Sequence, residues 1–521
     1  MDAESRGRGD RGSRRTARGI REGCPGHPRK AAGPDNIGNK ILQLCPELFS
    51  YNLAIIYNHY IDIGEYPQAL KIAKVIPIFK KGERCLSSNY RPISLLSVFD
   101  KIFEKLICRK LVDFFEKHNI LYNFQSGFRK LHSTTLALIE LTDSIRKLLD
   151  DGNIVLSFFV DFTKAFDTVD HRILLHKLHH YGIRGHAHQF IKSYLTNRTQ
   201  YTYINGTHSK TGDITCGVPQ GSVLGPVLFL IYVNDLHRSV NECLTRLFAD
   251  DTSINIANKN ADELKRIATV NFRLFANWCE CNKLTINYEK ANFILFHAKN
   301  KRIPTYFDKI EIDRNIIKRV STTKYLGIFL DEHLTWHKHI KYVHKSLLKY
   351  YGIFNKIKLF ITKNIARQLY FAFVFSKIKY GIEVYGACSN EQLHRLQVVQ
   401  SGLLKLLLKF NRRTDTDFLH KHIRLLKVKD IYRQQLLCFL NKCTHNRLPD
   451  AFNDYFIQRP TAYTTRNPED LEVTYGRTNF GLLTVKNKAA RLWNSIPLEL
   501  KEKASQLNFR KHIATHYIHE Y

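Results

Sequence analysis

The chain has 521 residues, 44% of them hydrophobic and 12% aromatic, and its 80 Lys plus Arg against 47 Asp plus Glu give a formal net charge of +33. This composition excludes a chain that is disordered throughout, because it supplies enough apolar surface for folded cores. A strongly basic surface attracts phosphate backbones through counterion release, which favours a nucleic-acid partner, although an anionic membrane surface would attract it too.

The first residues differ from the rest in composition. Residues 1–29 are rich in Arg and Gly and lack periodic apolar positions, so we predict a disordered basic arm there and folded structure from about Lys30. This stretch has no apolar core of a signal peptide, and no apolar run reaches the roughly 18 residues that a membrane-spanning helix needs. We therefore expect a protein of the nucleus or the cytoplasm, with no membrane partner and with reduced thiols at its eleven cysteines.

Helical periodicity dominates the chain from residue 30 to residue 150. Apolar residues recur at helical spacing in two segments: Phe103, Leu106, Ile107, Leu111 and Phe114, and then Leu141, Ile145 and Leu148. A strand-like run, KVIPIF, occupies residues 74–79. The pattern predicts helices with a short extended element before them.

Acidic residues mark the ends of extended segments in the middle of the chain. The run IVLSFFV, residues 154–160, predicts a strand buried on both faces, and Asp161 ends it. Residues 245–255 contain two short apolar runs around an acidic turn, which predicts a hairpin with Asp250 and Asp251 at its tip.

The last third of the chain returns to helical periodicity. Apolar residues at helical spacing are Val343, Leu347, Tyr350, Phe354 and Ile357, and then Leu393, Leu396, Leu403, Leu407 and Phe410. The nearest approach to zinc-ligand spacing is Cys438, Cys443 and His445 with His420 and His422 upstream, but it matches no zinc-knuckle pattern.

The three carboxylates suggest chemistry with hard cations. Nucleotide addition needs two divalent ions about 3.5–4 Å apart, one to activate the primer hydroxyl and one to hold the triphosphate. Carboxylate oxygens are the ligands that such ions prefer. Each acidic feature alone has an ordinary alternative, because acidic residues commonly end strands and occupy turns.

The order and the surroundings of these residues carry a resemblance to a known family. The segments FVDFTKAFDTVDH (159–171), GVPQGSVLGPVLFLIYVNDL (217–236) and LFADD (247–251) resemble polymerase motifs A, B and C of reverse transcriptases, and the non-LTR retrotransposon group with jockey-like elements resembles them best. Further segments resemble other motifs of that group: GPDNI (33–37), NYRPISLL (89–96), QSGFRKLHSTTLAL (125–138), LTINYEKAN (284–292), KYLGIFLD (324–331) and ARLWNSIP (490–497). Such an ordered set is far more specific than a lone acidic pair.

The resemblance implies an α+β right-hand polymerase with a mostly helical C-terminal region. The implied organisation is an N-terminal extension with fingers over 30–150, a palm with motifs A to E over 151–335, a helical thumb over 336–440 and a C-terminal helical region over 441–521. The implied activity is RNA-directed DNA synthesis: deoxynucleoside triphosphates are added to the 3′-hydroxyl of a DNA primer on an RNA template. The implied cofactor is a pair of Mg²⁺ ions, with Mn²⁺ as a substitute.

Residue roles also follow from the resemblance. Asp161 and Asp250 would be the principal catalytic metal ligands, and the backbone carbonyl of Phe162 would complete the shell of the second metal. Asp251 would have a lesser or structural part, because adjacent side chains on extended backbone diverge. Lys290, in the motif D segment, would donate a proton to the leaving pyrophosphate as a general acid.

Other implied roles concern the nucleotide and the template. Phe166 would block a ribose 2′-hydroxyl; its ordinary alternative is a core aromatic on a helix beginning at Lys164. Gln220 and Gly221 lie in a loop whose glycines let backbone approach the templating base pair. Arg129 would touch template phosphates.

Binding of the triphosphate would fall to basic residues of the fingers. Lys80 or Lys81, together with Arg91, would hold it through charge-assisted contacts. A solvated lysine face is the ordinary alternative for both lysines.

Two departures and two competing functions stay open. Ala249 before the acidic pair fits the non-LTR group, whereas retroviral enzymes prefer Met there. No upstream endonuclease segment and no zinc knuckle is apparent, so we expect a separate endonuclease to nick the target. The competing functions are an inactive, retroelement-derived RNA-binding protein and an RNA-templated RNA polymerase; the retained carboxylates disfavour the first and Phe166 disfavours the second.

Overall fold

The computed structural model describes residues 16–20, 31–459, 470–506 and 508–521. Of the predicted basic arm it describes 16–20 alone, which are helical and are named α1 here. The helices that follow are α2 (Asn39–Leu44), α3 (Pro46–Ile63), α4 (Val98–Lys117), α5 (Thr134–Asp150), α6 (His171–His180), α7 (Gly185–Leu195), α8 (Leu224–Tyr232), α9 (Ala261–Cys281), α10 (His337–Ile357), α11 (Lys363–Leu369), α12 (Ser376–Lys379), α13 (Ile382–Tyr385), α14 (Asn390–Leu407), α15 (Thr416–Ile423), α16 (Val428–Thr444), α17 (Asn479–Leu482), α18 (Val485–Ser495), α19 (Leu498–Glu502) and α20 (Phe509–His519). A π-helical turn, Tyr370–Phe375, joins α11 to α12.

The strands form three sheets in the described residues. They are β1 (Ile72–Phe79), β2 (Tyr90–Leu95), β3 (Ile154–Val160), β4 (Arg198–Ile204), β5 (Thr207–His208), β6 (Gly212–Ile214), β7 (Leu244–Phe248), β8 (Asp251–Asn258), β9 (Asn292–Phe296), β10 (Lys309–Ile312), β11 (Asn315–Arg319), β12 (Thr322–Tyr325) and β13 (Ile328–Asp331). One sheet has the order β2-β1-β4-β5 with β6 also on β4, a second has the order β10-β11-β9-β3-β8-β7, and the third pairs β12 with β13. The predicted α+β class is confirmed.

The chain divides into two compact units. The first contains the residues up to Phe128, Phe162–Val240 and Leu274–Asn287; the second contains Arg129–Asp161, Asn241–Arg273 and Tyr288–Tyr521. The five-stranded sheet belongs to the first unit, and the other two sheets belong to the second.

Aromatic packing on α4 organises the first unit. The buried ring of Phe103 stacks on Tyr57 at a centroid distance of 4.2 Å and on Tyr66 at 5.2 Å. Phe190 of α7 meets the same ring edge-on at 5.5 Å. Offset and edge-on contacts of this kind add to the free energy gained from burial of the rings.

The second unit is built around β3. All seven residues of β3 are buried, because β8 and β9 pair with it on its two edges and helices cover its faces. One continuous apolar core joins α5, β3 and the helices from α10 to α20. The carboxylate of Asp143 on α5 accepts hydrogen bonds from the backbone amides of Val485 at 2.8 Å and Lys486 at 3.0 Å, and so caps the first turn of α18.

Most elements predicted from periodicity are confirmed, and one is wrong. The helices over α4, α5, α10 and α14 and the strands over β1, β3, β7 and β8 lie where the apolar patterns placed them. The helix expected to begin at Lys164 does not form: residues 163–167 make turns, Lys164 has φ +52°, and α6 begins at His171. Asp170 caps α6 with its side chain, accepting from the amides of Arg172 and Ile173, which explains the later start.

None of the helices in the described segments is long and apolar enough to cross a membrane. The ten cysteines that these segments include are free thiols. The boundaries of the predicted palm, thumb and C-terminal regions stay predictions.

Candidate active site

The predicted metal-binding carboxylates lie at one end of the six-stranded sheet, in the second unit. Asp161 directly follows β3, while Asp250 and Asp251 lie where β7 turns into β8. β8 is antiparallel to β3, with Val160 opposite Thr252, so the end of β3 and the start of β8 share one edge of the sheet. The strand register therefore brings together three residues that are far apart in the sequence.

The two neighbouring aspartates of the turn between β7 and β8 have different backbone environments. Phe248 pairs with Asp251, which leaves Ala249 and Asp250 as a two-residue loop. Ala249 has φ +57°, a conformation that L-residues rarely adopt and that tight hairpin loops require. Asp250 thus lies at the tip of the hairpin, as predicted, but the prediction that Asp251 lies there too is wrong, because its pairing with Phe248 holds it in the strand ladder.

The electrostatics of this end of the sheet favour a cation. Burial, reinforced by the negative charges of Asp250 and Asp161, raises the pKa of Asp251 to about 6, and the charge of Lys290 opposes this rise. The two neighbouring charges disfavour the ionised form of Asp251, and a bound cation would relieve this repulsion.

Lys290 already provides one positive charge there. Its ammonium Nζ donates to Oδ2 of Asp161 at 2.6 Å, and about half of the lysine side chain and a third of the aspartate side chain are exposed. The lysine lies in the turn before β9, the other neighbour of β3. The predicted general acid therefore touches a predicted metal ligand directly.

The donor set at this end of the sheet suits a hard divalent cation, because Asp161, Asp250 and Asp251 offer oxygen ligands alone. Within the ranges that the structure describes, no group of three or more His, Cys, Asp or Glu is arranged to hold a metal ion. The cysteine and histidine residues near Cys438 likewise form no such group in those ranges.

Phe162 and Phe166 lie in the first unit. Phe162 is buried and forms an isolated antiparallel bridge with Ile286. The half-buried ring of Phe166 stacks on Phe229 of α8 at a centroid distance of 4.5 Å and meets Phe128 edge-on at 6.1 Å. Its position combines one packed face with partial exposure, so both the packing and the 2′-hydroxyl interpretations remain open to test.

The predicted nucleotide-binding loop is tied to the segment that carries Phe166. The amide of Val218 donates to the carbonyl oxygen of Phe166 at 2.8 Å, and the side-chain amide of Gln220 donates to Oδ1 of Asp167 at 2.9 Å. Gly217 has φ +83°, and a Cβ there would lie 2.6 Å from the backbone oxygen of Asp167. Glycine is required at this close approach of two backbones.

The same loop is bound to β2 on its other side. The amide of Ser94 donates to the carbonyl oxygen of Gln220 at 2.8 Å. Gly221 has φ +133°, and a Cβ there would collide with the carbonyl oxygen of Ser94. The loop is therefore fixed by backbone contacts on both sides.

Sequence reasoning missed Glu104, which also holds this loop. Its fully buried carboxylate accepts from the amide of Val223 at 2.5 Å and from the hydroxyl of Tyr194 at 2.6 Å, and burial raises its pKa. A buried Glu on the apolar face of α4 could have been noticed as a charge at a core position, but no motif marks it. Glu104 is a positioning residue, since it acts through the loop.

The basic residues of the fingers lie on the hairpin of β1 and β2. Arg91 pairs with Ile78, and the amide of Lys80 donates to the carbonyl oxygen of Asn89 at 2.8 Å, extending the ladder by one residue. Because side chains alternate along a strand, Lys80 lies on the same face as Arg91 and Lys81 on the other. The register thus favours Lys80 over Lys81 as the partner of Arg91; all three are exposed.

Arg129 lies in the second unit, in the loop that precedes α5, and is half-buried. The roles of all these residues stay predictions from the sequence, since their placement shows proximity and not activity.

Comparison with known proteins identifies relatives. Residues 78–330 match the family described as reverse transcriptase (RNA-dependent DNA polymerase). The chain is 30% identical over 420 residues to the probable RNA-directed DNA polymerase from transposon BS of Drosophila melanogaster, covering 77% of this chain and 45% of that protein. It is 29% identical over 392 residues to the RNA-directed DNA polymerase from mobile element jockey of the same organism, covering 72% of this chain and 42% of that protein.

A third relative extends the match. The probable RNA-directed DNA polymerase from transposon X-element of Drosophila melanogaster is 27% identical over 455 residues, which cover 85% of this chain and 49% of that protein. The chain thus spans less than half the length of these relatives. The resemblance to jockey-like reverse transcriptases is confirmed, and so is the palm-type polymerase fold that it implied.

Proposed function

We propose that this chain is a reverse transcriptase of the non-LTR retrotransposon kind, an RNA-directed DNA polymerase that adds deoxynucleotides to a primer 3′-hydroxyl on an RNA template. The observation that carries the proposal is the strand register, which places Asp161, Asp250 and Asp251 at the same end of the sheet around β3. An inactive RNA-binding relic would have no need to keep three mutually repelling carboxylates there.

The metal ions that we propose are Mg²⁺, with Mn²⁺ as a substitute. Asp161 and Asp250 would hold them, with Asp251 contributing negative charge and the carbonyl of Phe162 one further oxygen. When bound, two such ions lower the pKa of the primer hydroxyl and neutralise charge on the triphosphate.

The remaining steps fall to side chains of this chain. Lys80 and Arg91 would orient the phosphates from one face of their hairpin, since guanidinium and ammonium groups bind phosphate oxygens strongly. The loop at Gln220 and Gly221 would support the templating base pair, and Phe166 would exclude the 2′-hydroxyl of a ribonucleotide. Lys290 would release Asp161 as substrate binds and protonate the departing pyrophosphate.

The proposal includes partners and location. The partners are an RNA template, a DNA primer and deoxynucleoside triphosphates, and the net charge of +33 favours the two nucleic acids. We place the activity inside the cell, in the nucleus or the cytoplasm.

A primer-extension assay tests the proposed function. The purified chain, a labelled DNA primer on an RNA template and Mg²⁺ should give extension with deoxynucleotides and little with ribonucleotides. No extension with either nucleotide would contradict the proposal, and extension with ribonucleotides alone would replace it with an RNA polymerase.

A further inference from the structure

The C-terminal helices of the second unit contain a groove that the polymerase motifs do not use. Two adjoining cavities, of about 250 and 470 Å³, share Arg367, Tyr370 and Leu425 in their walls. Helices α11, α15 and α20 contribute to their lining. The two cavities with these shared walls are together called the C-terminal groove here.

Five cationic side chains line the C-terminal groove. The cations are Lys363, Arg367, Arg424, Arg510 and Lys511. No Asp or Glu lines either cavity, and no carboxylate in the described part of the chain forms an ion pair with any of the five. Like charges gathered without counter-charges repel one another, so an anion along the groove would stabilise the arrangement.

Aromatic side chains are interleaved with these cations. The rings in the walls are Tyr370, Phe371, Phe375, Phe410 and His422. Phe371 is 39% exposed, and the guanidinium of Arg367 lies 5.5 Å from the centre of its ring. The groove therefore offers ring faces beside cations, the combination that binds unpaired bases and their phosphates.

The cations stand on fixed backbone. Arg367 donates from Nη1 to the carbonyl oxygen of Ile423 at 2.9 Å. Arg424 ends α15 in a left-handed conformation with φ +53°, and Arg510 and Lys511 belong to the first turn of α20. The contact with Ile423 holds the guanidinium of Arg367 before any ligand binds, which lowers the entropic cost of using that charge.

We propose that the C-terminal groove binds a single-stranded segment of the RNA template. The inference rests on the proposed function, because an RNA template is the nucleic acid that such an enzyme must hold unpaired ahead of synthesis. Duplex RNA would present phosphates but no free base faces to Phe371, and an apolar peptide would leave the five cations unpaired.

The test uses the full chain and a labelled 12-nucleotide single-stranded RNA at several salt concentrations. The variant Arg424→Glu/Arg510→Glu should weaken binding about tenfold or more and reduce the salt slope by about 1.4, two phosphate contacts at about 0.7 each. The matched control is Lys318→Glu/Lys429→Glu, because both lysines are exposed, lie in the same unit and line neither cavity. The control should weaken binding less than about threefold.

A second variant tests stacking. Phe371→Ala should weaken single-stranded RNA binding about fivefold or more and leave binding of a duplex RNA of the same length unchanged. Equal losses in the two charge variants, or equal losses for single-stranded and duplex RNA, would overturn the proposal. Tighter groove-dependent binding of single-stranded DNA than of RNA would overturn the choice of RNA.

Primer extension on a short template separates this proposal from the proposed function. Groove variants should extend a primer at the wild-type rate on a template whose unpaired overhang is only a few nucleotides long, because so short an overhang leaves no single strand for the groove to bind. If the wild-type chain does not extend any primer while the groove variants still lose RNA binding, the proposed function fails and the groove assignment stands.

Discussion

The ammonium of Lys290 lies 2.6 Å from Oδ2 of Asp161, so a proposed general acid and a proposed metal ligand form an ion pair. The pair is partly exposed, and pairs of this kind contribute at most about 1 kcal/mol. A contact that weak can be broken by an arriving cation or substrate. Two consequences follow for variants of Lys290.

Removing the lysine should strengthen metal binding but slow the reaction. Lys290→Met should lower the Mg²⁺ concentration for half-maximal activity by up to about fivefold, because the lysine no longer competes for Asp161. It should also lower kcat by about 10²–10⁴-fold through loss of the proton donor. Lys290→Arg is the matched control: it keeps the charge but cannot give up its proton, so kcat should fall while metal dependence stays near that of the wild type. An unchanged kcat in both variants would rule out the general acid role.

Phe166 should govern the choice between ribonucleotides and deoxynucleotides. Phe166→Val should raise the relative kcat/KM for ribonucleotides by about 1–3 kcal/mol of transition-state binding, because selectivity by a steric clash disappears with the ring. Phe229→Leu is the control, since it removes the same 4.5 Å stacking contact and leaves the ring of Phe166 in place. The alternative is that Phe166 is a packing residue. In that case both variants should lose stability, by up to about 3 kcal/mol, and the ratio of kcat/KM for ribonucleotides to that for deoxynucleotides should not change.

Glu104 should affect nucleotide binding through the loop that it holds. Glu104→Gln replaces a carboxylate oxygen that accepts from the Val223 amide with a group that can present its own N–H. The free energy of unfolding should therefore fall by about 1–3 kcal/mol. KM for the nucleotide should rise, because the loop is held less firmly. Tyr194→Phe removes the other hydrogen bond of the carboxylate and leaves the contact with Val223. That control should lose stability without a rise in KM; equal KM values for both variants would show a purely structural role.

Acid should destabilise the second unit through a buried histidine. Nδ1 of His420 lies 2.9 Å from the carbonyl oxygen of Leu425, and Nε2 lies 3.1 Å from the amide of Gln397 and 3.2 Å from the hydroxyl of Ser401. A neutral ring that donates from Nδ1 and accepts at Nε2 satisfies all three contacts. Burial is the main cause that lowers the pKa of His420 from 6.5 to about 4.

The sign of this pH dependence follows from the lowered pKa. Between pH 6.5 and about pH 4, His420 is protonated in the unfolded chain but neutral in the folded chain. The contribution of His420 to the free energy of unfolding is therefore fully present above pH 6.5 and is lost as the pH decreases through that range. The loss should reach about 3 kcal/mol for this group. Urea unfolding at pH 7, 5.5 and 4.5 should show a flatter pH dependence for His420→Gln than for the wild type, and no flattening for His422→Gln, which is exposed. The same slope in all three proteins would contradict the assignment.

The sequence predicted those parts of the fold that depend on local pattern. The seven buried residues of β3, six of them apolar, reflect burial on both faces, and the apolar stripe on α4 reflects burial on one face, so the apolar pattern revealed both elements. The strand β2 was not predicted as a strand, because Pro92 and exposed residues interrupt its pattern; it is stable as an edge strand, where Pro92 pairs opposite Pro77. The expected helix at Lys164 failed because hydrogen bonds with the 217–220 loop, 50 residues away, override local propensity.

In the candidate site, too, the sequence predicted the residues but not their long-range contacts. Asp161, Asp250 and Lys290 could be named from motifs, since their types and order carry the signal. The contact between Lys290 and Asp161 could not be predicted, because it depends on β9 and β8 both pairing with β3. Glu104 was missed for a related reason: its function depends on a loop that begins more than 110 residues later, near Val223.

The most direct measurement of the central claim is primer extension by purified Asp161→Asn protein beside Asp151→Asn protein. Both changes remove one carboxylate charge from the same unit. Asp151, however, is exposed at the end of α5 and precedes β3, whereas Asp161 follows β3 at the end of the strand that neighbours the turn between β7 and β8. Asp161→Asn and Asp250→Asn should each abolish extension and retain RNA affinity, because each variant loses a metal ligand without added bulk. Asp251→Asn should reduce extension less. Asp151→Asn should extend the primer at the normal rate. Retention of more than about a tenth of the wild-type rate by Asp161→Asn would contradict the two-metal assignment and the function built on it.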